Sequence, residues 1–96
     1  MTRLIPERES LTVEFKSDRE RLSDRELVAT VVCLANSEGG EVYIGVEDDG
    51  TVTGLHAARR NIAGLTALIA NLTIPPVTVR VEAVDGRGAT RPGAPR

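Results

Sequence analysis

Apolar and polar positions alternate strictly over residues 11–16, Leu-Thr-Val-Glu-Phe-Lys. Leu11, Val13 and Phe15 fall on one face, and Thr12, Glu14 and Lys16 on the other. A period of two is that of a half-buried strand. A charged stretch follows, and the period then lengthens. Ser23-Asp24-Arg25-Glu26 reads as a capping box, in which Ser23 accepts from the third helical amide and Glu26 reaches back. Leu27, Val31, Leu34 and Ala35 then recur along one helical stripe. This helix is predicted to stop near Asn36, because Gly39-Gly40 prevents its continuation. Alternation returns over 41–47 with Val42, Ile44 and Val46 inward. Asp48-Asp49-Gly50 is a hairpin signal, and residues 51–55 form the returning arm. Gly45 and Gly54 in these arms mark a bulge or a close backbone approach. Ile62, Leu65, Ile69 and Leu72 form the stripe of a second helix over 57–72, which Pro75-Pro76 ends. Residues 77–83 alternate once more, Val77, Val79 and Val81 against Thr78, Arg80 and Glu82.

The pattern predicts an α+β fold in the order β-α-β-β-α-β, a mixed four-stranded sheet with two helices packed on one face. Residues 1–8 read as a lead-in and 9–85 as the domain. Residues 86–96 lack periodicity and large apolar side chains, and are expected to be disordered. Asn36, Gly39, Gly40, Gly45, Gly50 and Gly54 are the expected structural turn positions.

Composition changes this picture in three ways. With 96 residues the chain suffices for one small domain. Its only aromatic residues are Phe15 and Tyr43, so the core is aliphatic. The net charge is −2, which argues against a uniformly basic nucleic-acid binder and requires any phosphate contact to be local. Eleven of the twelve basic residues are Arg, Lys16 being the exception. Cys33 is alone and excludes an internal disulfide. With His56 it falls short of the roughly four ligands of a structural zinc site. Cys33 is expected in or near the core, and His56 at a helix N-cap. No apolar run approaches the roughly 20 residues that span a bilayer, so no membrane association is expected. A reducing, cytoplasmic setting fits best.

Three ordered blocks suggest a family. Glu9-Ser10-Leu11-Thr12-Val13-Glu14-Phe15-Lys16, Leu34-Ala35-Asn36-Ser37-Glu38-Gly39-Gly40, and Ile44-Gly45-Val46-Glu47-Asp48-Asp49-Gly50 with Thr53-Gly54-Leu55 resemble the Schlafen/AlbA-type DNA-binding domain. The Ile74-Pro75-Pro76 step before a Val-rich strand is also similar. The resemblance implies an N-terminal module of longer bacterial proteins, commonly named transcriptional regulators or ATP-binding proteins. It also implies an apolar strand after the turn near Asp85-Gly86, where residues 88–96 cannot form one, so the chain looks truncated. In the eukaryotic Schlafen branch a similar domain is a metal-dependent RNA nuclease with three carboxylates.

Two constellations could carry chemistry. Glu9, Glu14 and Asp48 are hard oxygen donors suited to Mg²⁺ or Mn²⁺, and their order is similar to the Schlafen nuclease arrangement. Lys16, two residues beyond Glu14 on a strand, shares its face and could neutralise phosphate. Catalysis would rest on Glu9, Glu14, Lys16 and Asp48. The bland alternative is the wet face of a strand and a turn-forming Asp. The second constellation is basic: Lys16, Arg19, Arg21 and Arg25 near the first helix, and Arg59-Arg60 at the start of the second. Interleaved Asp18, Glu20, Asp24 and Glu26 could simply pair with the first group. The Gly39-Gly40 turn follows a helix and enters a strand, the reverse of a phosphate-binding loop, and lacks its Gly-Lys-Ser/Thr ending, so ATP binding is rejected. The leading expectation is a nucleic-acid-binding module, DNA in preference to RNA, contacting phosphates through Lys16, Arg19, Arg59 and Arg60 and needing no cofactor. The alternatives are a Mg²⁺- or Mn²⁺-dependent endoribonuclease, and a structural domain that homodimerises through an exposed sheet edge.

Overall fold

The computed structural model describes residues 5–59 and 62–84. The first strand, β1 (Val13–Lys16), is followed by α1 (Asp24–Ala35) and β2 (Glu41–Ile44). A 3-10 turn (Ile62–Gly64) leads directly into α2 (Leu65–Asn71). The fold is α+β, as its periodicities predict.

β1 and β2 pair in parallel, with Val13 opposite Glu41, Glu14 opposite Val42, Phe15 opposite Tyr43 and Lys16 opposite Ile44. Parallel neighbours need a crossover, and α1 supplies it. The sheet has apolar packing on both faces, as parallel sheets do. Val42 and Ile44 pack beneath the helices with Leu22, Leu27, Leu65 and Ile69. Phe15 and Tyr43 face the other way, where they join Ile5 and Val46. Their rings meet edge to face, with centroids 6.2 Å apart, the geometry the aromatic quadrupole favours. Inward residues of β2 therefore alternate between two cores, and Val42, Ile44 and Val46 do not share one face as expected.

Ser23 caps α1 by accepting the Glu26 N–H at 3.1 Å. Only this half of the capping box forms, because Glu26 sends Oε2 to Lys16 Nζ at 3.3 Å. The helix closes as Gly39 N–H reaches the Leu34 carbonyl at 2.8 Å. Gly40 (φ +139°) lies against the Thr12 carbonyl, where a Cβ would collide with backbone. This contact lets Glu41 N–H bond Thr12 O at 2.8 Å and start the sheet.

Several expected features differ. The returning arm after Gly50 is present as a single Val46–Val52 bridge, supported by Glu47 N–H to Thr51 O at 2.8 Å. Residues 77–84 are assigned no strand, although Val77, Val79 and Val81 pack against the helical core. The sheet thus has two strands instead of four. Leu11 sits in the turn before β1 and is 86 % exposed, because the ladder begins only at Val13. α2 begins later than expected, and Leu72 lies beyond its end, 55 % exposed. Cys33 is on the exposed side of α1. Thr73 is buried at the exit of α2. Its hydroxyl donates to Ile69 O at 2.8 Å and accepts Val77 N–H at 2.7 Å, which holds the start of the last segment against the helix. The expectation of a disordered tail falls outside the described residues.

Candidate functional site

The loop between β1 and α1 carries a dense run of charge, Ser17-Asp18-Arg19-Glu20-Arg21-Leu22. Such a loop would ordinarily be solvated, yet Asp18 is fully buried. Its carboxylate accepts two fork hydrogen bonds from Arg59, from Nε at 2.7 Å and Nη2 at 2.8 Å. It also accepts the amides of Leu22 at 2.7 Å and His56 at 2.8 Å. Arg59 completes its shell by donating to Leu22 O at 3.0 Å. A buried charge is tolerable only when paired and hydrogen-bonded, and four donors satisfy this carboxylate. Burial pushes the Asp18 carboxyl up, but the Arg59 fork, the two amides and the Arg59 charge outweigh it and bring it down to about 2. The Asp18 hydrogen bond correspondingly raises Arg59 against the opposing effect of its own burial.

This clamp corrects the reading of Arg59 as a phosphate contact. Its side chain is 3 % exposed, with Nε bonded to Asp18 and Nη2 to Asp18 and Leu22. The charge opens no helix, since α2 begins at Leu65. It ties the 56–59 turn to the β1–α1 loop. In that turn the expected cap at His56 takes a local form, with Nδ1 accepting Ala58 N–H at 2.9 Å. Arg60 lies outside the described residues.

Beside the clamp is a cleft of about 850 Å³. Glu9, Glu14, Lys16, Arg19 and Asp48 all line it, together with Ser17, Arg21 and Glu26 among others. The fold therefore gathers the three candidate carboxylates with Lys16, Arg19 and Arg21, whereas Arg25 and Arg59 are not among the residues that line the cleft. Lys16 bridges to Glu26, and Arg21 to Asp24 at 3.4 Å, both at accessible positions. Glu47 lies at the hairpin beside the loop. Its carboxyl is held below the usual range by the Thr53 hydroxyl at 2.6 Å, then by that of Ser17, with Arg19 adding its charge.

The three carboxylates share the cleft without forming a centre. Glu9 Oε1 accepts the Phe15 amide at 2.9 Å and so anchors the chain ahead of β1. Among the described residues, no three His, Cys, Asp or Glu side chains are grouped so as to hold a metal ion. This arrangement does not fit a shared Mg²⁺ or Mn²⁺, and no catalytic step follows from it.

A family model described as Schlafen, AlbA_2 matches residues 9–90, the stretch that contains the cleft and the clamp. The chain belongs to the Schlafen AlbA_2 family. No curated protein and no solved structure matches it. In this AlbA_2 domain the Glu-Phe-Lys block forms β1 and one wall of the cleft, and the Ile-Gly-Val block carries β2 into the hairpin. Gly45 (φ +93°) stands at that junction, where an added Cβ would meet the Gly54 backbone at 2.8 Å. Gly39, Gly50 and Gly54 also adopt positive φ, and Asn36 is the α1 C-cap. The clamp was not legible in the sequence: Asp18 and Arg59 are 41 residues apart, and nothing in the local pattern separates them from solvated neighbours. Among the described residues, no helix is long and apolar enough to cross a membrane.

Proposed function

We propose that this AlbA_2 domain binds nucleic acid through backbone phosphates, with Lys16, Arg19 and Arg21 as the contacting cations, as the DNA-binding part of a transcriptional regulator. The observation that carries the reading is the Asp18–Arg59 clamp, which holds the Arg-bearing loop beside the strand that bears Lys16. A loop ordered in advance loses less entropy on binding. The pairs Lys16–Glu26 and Arg21–Asp24 are accessible. Such pairs are worth about 0–1 kcal/mol, so phosphate can displace them.

The same cleft sets the scale of affinity. Five carboxylates (Glu9, Glu14, Glu20, Glu26 and Asp48) line it beside the three cations. Contact is therefore confined to the cationic rim, in the non-specific range of roughly 10⁻⁴–10⁻⁶ M. Phe15 and Tyr43 are both buried and supply no stacking platform for single strands. Duplex DNA is the favoured target, and no cofactor is required.

Titration of labelled duplex DNA and structured RNA tests this. Three phosphate contacts predict a salt slope near −2.7, or roughly 40-fold weaker binding between 50 and 200 mM salt. Arg19→Ala should weaken binding across sequences and reduce the slope by about 1. Salt-insensitive binding, or none at low salt, refutes the proposal. Products from the same mixtures, with and without Mn²⁺, are run on a denaturing gel. Metal-dependent fragments abolished by Glu14→Gln would replace the binding reading with the nuclease one.

A further inference from the structure

Glu26 stands between two partners at the rim of the cationic cleft. It is the third residue of α1, and Ser23 is the N-cap. In a Ser-x-x-Glu box the serine side chain takes the amide of the third helical residue, and the glutamate side chain returns to the amide of the cap. The first bond is made, from the Glu26 N–H to Ser23 Oγ at 3.1 Å. The second is not. Glu26 Oε2 lies instead 3.3 Å from Lys16 Nζ. Among the described residues the Ser23 N–H has no hydrogen-bond acceptor.

The return seat needs no rearrangement of the backbone. Ser23 already holds the extended conformation of a cap, φ −69° and ψ 151°, directly ahead of the helix. Ser23, Glu26 and Lys16 all line the one cleft. The two seats are also similar in depth. The pair with Lys16 is accessible, its side chains 24 % and 57 % exposed. Water screens such a pair, and two long side chains must be held to make it. The capping seat offers one amide, at the helix end where the macrodipole favours a carboxylate. A group with two seats of similar depth moves when a ligand takes the partner in one of them.

We propose that Glu26 is an autoinhibitory gate on the cleft: in the free chain it neutralises Lys16, and a phosphate that takes Lys16 sends it back to the Ser23 amide, completing the capping box. The proposal rests on the phosphate-binding reading above and adds its regulation. Lys16 is offered to an anion only as the cap of α1 closes, so binding tightens the start of the helix. The Ser23 amide is the seat of the chain's own carboxylate and not of the phosphate.

Two arms test this on the full chain. The first uses no nucleic acid. Lys16→Met removes the ammonium and keeps the apolar stem. Glu26 should then return, and exchange of the Ser23 amide, read by NMR, should slow at least about threefold. In the second arm, labelled duplex DNA is titrated at low salt. Glu26→Gln cannot neutralise Lys16 but can still close the capping box. It should bind about two- to fivefold more tightly, the equivalent of one exposed ion pair. Glu20→Gln removes the same charge from the same cleft and should gain less. In a Lys16→Met background the two Gln variants should bind equally. Saturating duplex should slow Ser23 exchange in the parent chain but not in Glu26→Ala, which has no carboxylate to return.

The gate is overturned if Lys16→Met leaves Ser23 exchange unchanged, or if Glu26→Gln gains no more than Glu20→Gln. It is also overturned if duplex protects Ser23 equally in Glu26→Ala, because the phosphate itself would then hold that amide. Any of these results with a parent chain that binds duplex refutes the gate alone. A parent chain that binds no duplex at low salt refutes the phosphate-binding reading, and the gate with it.

Discussion

Replacing Asp18 with Ala removes the acceptor of four short hydrogen bonds and leaves the Arg59 guanidinium, 3 % exposed, without a counter-charge. Breaking a buried pair from one side costs about 3–5 kcal/mol, a large part of the 5–15 kcal/mol typical of a domain. The reverse change, Arg59→Met, is expected to be milder. The Leu22 and His56 amides still serve the carboxylate, and Met fills much of the space that Arg leaves. Arg21→Ala is the control: its partner Asp24 and the Arg itself are each more than two-fifths exposed, so the change should cost less than about 1 kcal/mol. Urea unfolding at neutral pH measures all three, with stability read from the midpoint at constant m-value. Acid provides a second readout. Asp18 titrates at about 2 in the folded chain against an ordinary 3.8. Its pKa is depressed, so its contribution is fully present above 3.8 and disappears as pH falls through about 2. The difference amounts to about 2 kcal/mol. Asp18→Asn should lack that part of the acid profile. The reasoning fails if Asp18→Ala costs no more than Arg21→Ala, or if Arg59→Met is the more damaging change.

Two further predictions concern folding. Phe15→Ala should cost about 3–5 kcal/mol in the same unfolding assay, since Phe15 is 1 % exposed and packs edge to face on Tyr43. Leu11→Ala, although in the same alternating run, should stay within about 0.5 kcal/mol because Leu11 is 86 % exposed. Gly45→Ala should destabilise by more than the 0.5–1 kcal/mol or so by which Ala ordinarily favours regular structure, because positive φ and the Gly54 backbone both oppose a Cβ. A thermal melt of Gly45→Ala equal to that of the parent would contradict it.

What local pattern could decide, it decided. The period of two over 11–16 yields β1, and the change of period after Ser23 yields α1 with its cap. The glycines mark where the backbone takes positive φ. Glu9, Glu14, Lys16, Arg19, Arg21 and Asp48 line one cleft: all but Asp48 are close in sequence, and Asp48 lies in the turn beyond β2, the strand paired with β1. Polarity along the chain shows that a position can be buried, but not which of two cores takes it, and so Tyr43 and Val46 fall on the face opposite Val42 and Ile44. Asp18 and Arg59 read as two solvated charges until the fold brings distant loops together and excludes water from between them. The 77–84 segment shows the remaining limit. Its alternation is that of a strand, but a ladder needs a neighbouring edge within about 5 Å. Only the tertiary structure could show that Val77, Val79 and Val81 pack against the helical core without entering a ladder.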